Sequence, residues 1–173
     1  MSEEMLVCHC SPTLAGLKTG SLFSCPYSSQ KMIIKEIREF NQKLTQKGIR
    51  IIPVRISDKR MLVYVYRPEK LKEDFSDEKT QIILKCKGYD CTNLSQCICR
   101  LIQKLQSDPD FPHEIGLFLG YPAEDVKGFI ENKAACSKCS GCWKVYGDEQ
   151  AARILFKNCL LYTSPSPRDY AAS

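Results

Sequence analysis

The stretch Met61-Leu62-Val63-Tyr64-Val65-Tyr66 limits most strongly how this chain can fold. Side chains along a strand alternate between two faces, and here neither face offers water anything more polar than a tyrosine hydroxyl. Such a strand belongs in the middle of a sheet, with other elements covering it on both sides. Residues 49–56, rich in Ile and Val, supply a neighbouring strand. The polar link Ser57-Asp58-Lys59-Arg60 makes the two an antiparallel hairpin. The pattern predicts an α/β fold of mixed α+β type: a small mixed sheet with an antiparallel hairpin, packed by helices.

The covering elements are also visible. Over residues 27–47, Ile33, Ile37, Phe40 and Leu44 recur at helical spacing, and Gly48 follows as a stop. Over residues 93–105, Leu94, Cys97, Ile98, Leu101, Ile102 and Leu105 draw a second apolar stripe, broken by Asp108-Pro109-Asp110-Phe111-Pro112. Short helices are expected after Pro68, after Asp77, near residues 113–119 and after Pro122, with a last one capped by Asp148 and running to residue 156. A short strand is expected over residues 142–146. The N-terminus reads as a strand over residues 5–10, followed by a helix start with Ser11 as N-cap and Pro12 in its first turn.

Composition narrows the function classes. Residues 1–158 read as one globular domain, since 173 residues suit one core better than two. No stretch approaches the roughly 20 apolar residues of a membrane-spanning helix, and the acidic start Met1-Ser2-Glu3-Glu4 is not that of a secretory signal. The net charge of +5 is spread along the chain with no dense basic tract, so nothing marks a nucleic-acid surface. Eleven cysteines in a chain with its own apolar core fit reduced thiols in the cytoplasm better than a disulfide framework.

Four segments carry a resemblance. They are His9-Cys10-Ser11-Pro12-Thr13-Leu14-Ala15-Gly16-Leu17-Lys18, Leu62 to Pro68, Phe111 to Pro122 and Trp143 to Asp148. Together they resemble the signature segments of the DUF3793 family of bacterial proteins, mostly from anaerobic Firmicutes. The resemblance implies no activity, ligand or site residue. From Cys159 onward, Cys159-Leu160-Leu161-Tyr162-Thr163-Ser164-Pro165-Ser166-Pro167-Arg168-Asp169 resembles a translated sequencing adapter of the kind met in metagenomic gene predictions. Residues 159–173 are accordingly expected to be a non-native tail.

Several constellations could carry chemistry. Cys136-x-x-Cys139-x-x-Cys142 has the spacing with which loop thiolates converge on zinc or an iron–sulfur cluster, but it supplies only three donors. A fourth would come from Cys8, His9, Cys10, Cys25, Cys86 or Cys91. The N-terminal group is the preferred source, which would place residues 8–18 beside residues 136–143, with Trp143 as an apolar wall. Ser11, Thr13 and Lys18 suggest an anion-holding helix start, and His113 with Glu114 an acid–base pair. The reading these residues favour is a small-ligand or metal-binding protein of anaerobic metabolism. The alternatives are a small enzyme using a cysteine or the His113–Glu114 pair, and an adaptor without a small-molecule site.

Overall fold

In the computed structural model, which describes residues 1–107, 111–133 and 135–163, the apolar run does occupy the middle of a sheet. Strand β3 (Arg60–Tyr66) lies between β1 (Gly20–Pro26) and β2 (Arg50–Ile56), antiparallel to both. Met61, Val63 and Val65 face one side, and Tyr64 and Tyr66 the other. Each of these five is buried, as a strand covered on both faces requires. The fold is mixed α+β.

One face of the sheet is covered by α1 (Glu3–Leu14) and α2 (Gln30–Leu44). Leu6, Cys10, Ile33 and Ile37 pack there onto Phe23, Ile51 and Val63. A 3-10 turn, Thr45–Lys47, extends α2, and Gly48 ends it at φ +70°, a left-handed conformation that favours glycine. The other face carries α3 (Pro68–Asp74), α4 (Glu78–Cys86), α5 (Leu94–Ser107), α6 (Ile115–Phe118) and α7 (Ala123–Asn132). The expected stripe of α5 buries Cys97, Ile98, Leu101 and Leu105. The expected break at residues 108–110 lies outside the described residues. Among the described residues, no helix is long and apolar enough to cross a membrane.

Two N-terminal expectations are corrected. Residues 5–10 are helical, because Ser2 caps α1 by accepting the Met5 N–H at 3.2 Å and two acidic residues follow in the first turn. Ser11 is therefore no N-cap: its hydroxyl donates back to the Val7 carbonyl, and Pro12 sits inside the helix two residues before its end. The second neighbour of β3 is Gly20–Pro26, which the pattern reading had not assigned to a strand. It buries Ser21, Phe23 and Cys25 by alternation.

Arg67 joins these layers at the end of β3. Its guanidinium donates to the carbonyls of Thr13 at 2.7 Å, Leu14 at 2.6 Å and Lys47 at 3.2 Å, closing the ends of α1 and of the 3-10 turn at once. Arg67→Lys keeps the charge but loses the planar fork. It is expected to lower stability by about 2–3 kcal/mol in urea titrations, two partly solvated hydrogen bonds being lost at roughly 1–1.5 kcal/mol each. A wild-type midpoint for the lysine variant would show that charge alone is needed there.

Candidate functional site

Between α7 and the last helix, residues 136–147 form a small hairpin laid across α7. Its strands are β4 (Cys139–Ser140) and β5 (Lys144–Val145), paired Cys139 to Val145 and Ser140 to Lys144. Two residues long, such strands cannot hold themselves in place. Asp125, buried in the first turn of α7, holds them. One carboxylate oxygen accepts the N–H groups of Tyr146 and Gly147, each at 2.7 Å, and the other accepts the Trp143 indole N–H at 2.7 Å. One turn further along the same helix face, Gly128 leaves room for the Tyr146 ring. A Cβ there would stand 2.3 Å from its Cγ atom. On its other side the hairpin rests on α8 (Glu149–Thr163), where Val145 packs with Ala152 and Phe156.

Between the hairpin, α6 and α7 lies a cavity of about 340 Å³, within the size range of small-molecule sites. Phe111, His113, Tyr121, Phe129, Cys142 and Trp143 line it. Tyr121 stacks on Trp143 with ring centres 4.7 Å apart, and Phe156 meets Trp143 at 4.5 Å and 74°. The Lys18 ammonium lies 4.9 Å from the centre of the Tyr121 ring. Burial pulls the Lys18 pKa down and pushes the Tyr121 hydroxyl up to about 12. His113 packs edge-on against Phe129 at 5.0 Å, and its ring nitrogens have no hydrogen-bond partner among the described residues.

The structure scatters most of the predicted ligands. Cys136 is exposed in a left-handed conformation at φ 57°, Cys139 packs into the hairpin cluster, and Cys142 is at the cavity wall. In α1, Cys8 is exposed while Cys10 is buried, its pKa pushed up to about 12 by desolvation. His9 stacks on Phe23 at 5.1 Å, and Cys25 is buried in the same layer. Among the described residues, no group of three or more His, Cys, Asp or Glu side chains is placed to hold a metal ion. The expected meeting of residues 8–18 with residues 136–143 is seen at Lys18, which lies over the ring of Tyr121, itself stacked on Trp143, with its charge close to Cys142.

The remaining candidates part company too. Thr13 is buried and hydrogen-bonded to the Ser21 hydroxyl at 2.8 Å. Ser11 and Thr13 belong to the C-terminal half of α1, whose end presents carbonyls, already held by Arg67, rather than the N–H groups an anion needs. Glu114 turns away from the cavity and accepts the Lys104 ammonium at 2.7 Å and the Tyr89 hydroxyl at 3.1 Å, so His113 alone of that pair faces the cavity.

Asp125, Tyr121 and Phe129 were not marked by the sequence reading. An acid in the first turn of a helix reads as a partner of the helix dipole, and nothing local links it to N–H groups about twenty residues away.

Comparison with known proteins adds one match: the model of a family described as a protein of unknown function (DUF3793) matches residues 6–166. That span passes the expected start of the tail at Cys159, which is itself buried in α8, while residues 164–173 lie outside the described residues. No curated protein and no solved structure matches the chain.

Proposed function

The chain belongs to the DUF3793 family, whose description assigns no activity, and from the geometry we propose that it is a small-ligand-binding protein whose site is the cavity between α6, α7 and the β4–β5 hairpin. The observation that carries this reading is the convergence of aromatic side chains from three separate segments on one cavity, with the exposed His113 ring, whose nitrogens have no hydrogen-bond partner among the described residues, at its wall. Apolar enclosure with a few placed polar groups is the usual chemistry of such sites. The scattered thiols do not favour the metal reading, since zinc or an iron–sulfur cluster needs several thiolates within a few ångströms of one another.

A second reading rests on Cys142 and His113 both lining the cavity, the residue types of a cysteine nucleophile and a histidine base, which such an enzyme would need to bring within hydrogen-bond reach of each other. Saturation-transfer NMR with a fragment library tests the principal reading. Hits are expected to shift the backbone signals of His113, Phe129 and Trp143, and to be lost in Ser140→Trp, which places a large ring on an exposed position of the lining. Hits that map elsewhere, or that survive this substitution, would overturn it. Selective alkylation of Cys142 that bound fragments block would favour the second reading.

A further inference from the structure

A second cavity lies at one end of the three-stranded sheet and shares no lining residue with the cavity beside Trp143. Its walls come from the start of β2, the end of β3 and the first turns of α3 and α5. We propose that it binds a free α-amino acid with an aliphatic side chain, the carboxylate held by Arg50 and Tyr66 and the ammonium by Glu69. Size admits such a ligand, since about 360 Å³ equals roughly twelve waters at their liquid spacing.

The carboxylate half rests on Tyr66 and Arg50. These two are directly paired across β3 and β2, so their side chains stand on the same face of the sheet. Tyr66 is only 6% exposed, and its hydroxyl has no hydrogen-bond partner among the described residues. Nor is that hydroxyl sealed in protein. Among the described residues, the buried side-chain polar atom that lacks a partner is the Tyr146 hydroxyl. The Tyr66 hydroxyl therefore meets solvent, and the cavity is the opening that Tyr66 lines. Burial pushes its pKa up while the Arg50 charge pulls it down, which places the guanidinium's field at the hydroxyl. A guanidinium fork with a phenolic O–H beside it is a donor set for a carboxylate.

The ammonium half rests on Glu69, which lines the same cavity from the first turn of α3. Neither Glu69 nor Arg50 has a hydrogen bond or an ion pair, with each other or with any other described residue. Two opposite charges that share a cavity without meeting suit a ligand that carries both. A simple anion would be repelled by Glu69, and a simple cation by Arg50. Leu94 and Ile98, from the apolar stripe of α5, supply surface for an aliphatic side chain.

Three probes with one carbon skeleton separate the charges: L-leucine, 4-methylpentanoate, which lacks the ammonium, and 3-methylbutylamine, which lacks the carboxylate. Titrations of the full chain are followed on the backbone N–H signals of Glu69, Ser95 and Ile98, which line this cavity alone of the two. L-Leucine is expected to bind at least roughly tenfold tighter than either other probe, each of which forgoes a hydrogen bond between charged groups. Arg50→Gln is expected to weaken L-leucine to about the level of the amine without weakening the amine. Glu69→Gln is expected to weaken it to about the level of the acid without weakening the acid. Both positions are exposed, so the variants should fold. Acid binding as tight as that of L-leucine would overturn the amino-acid assignment and leave an anion site. L-Leucine that shifts none of these signals, or that binds both variants as tightly as wild type, would overturn the proposal altogether. None of these outcomes bears on the cavity beside Trp143.

Discussion

Asp125→Ala is expected to lower the unfolding free energy by about 3–6 kcal/mol, because three part-buried N–H donors lose the carboxylate that accepts them and each costs roughly 1–2 kcal/mol, the lower part of the range for an unpaired donor. The damage is expected to be local as well as global. Amide exchange should accelerate over residues 136–147 well before it does in β3, since the hairpin has only two paired positions of its own. Asp125→Asn keeps one oxygen for Tyr146 and Gly147 but turns a donor toward the Trp143 indole, so it should fall between wild type and alanine. Urea denaturation with far-UV detection, paired with hydrogen exchange, measures both effects. Equal stability of the alanine variant would mean that the hairpin is held by its packing on Phe156 instead.

Lys104→Met is expected to cost about 3–5 kcal/mol at pH 7, the range found when one partner of a buried ion pair is removed. Glu114 is only 4% exposed. Burial pushes its pKa up, but the hydrogen bond and charge of Lys104, with the Tyr89 hydroxyl, outweigh that and hold it below the usual carboxylate range. A carboxyl with a lowered folded pKa stabilises fully above its unfolded value, roughly pH 4.3, and the contribution is lost as pH falls through the lower folded value. In the methionine variant the sign reverses. The stranded carboxylate is relieved by protonation, so the deficit against wild type should shrink between pH 7 and pH 4. A deficit of the same size at both pH values would show that the loss comes from the packing of the lysine stem and not from its charge.

The two variants probe elements that differ in how far they could be read from the chain. The central strand, its hairpin partner and the helices α2 and α5 were legible because a buried stripe at period 2 or 3.6 is a local property, repeated over enough residues to exclude the alternatives. Residues 5–10 and Gly20–Pro26 were not. A short apolar run fits helix or strand equally well, and its identity depends on whether a cap or a partner strand is nearby in space.

The cysteines show the same limit in the site. Their regular spacing suggested one centre, yet the hairpin puts Cys139 in a strand, Cys142 in the tight turn that follows and Cys136 ahead of it in a left-handed conformation. Spacing along a chain becomes convergence only when the backbone path bends the donors toward one point. His113 and Cys142 were candidates by residue type, and Trp143 was expected as a wall, but Tyr121, Asp125 and Phe129 join them only through the packing of α7 on the hairpin. By itself, then, the sequence determined the layers, since hydrophobic periodicity dictates which faces must leave water. Only the tertiary structure decided the cavity, because its walls come from segments whose relative positions are settled by long-range hydrogen bonds to a single buried carboxylate.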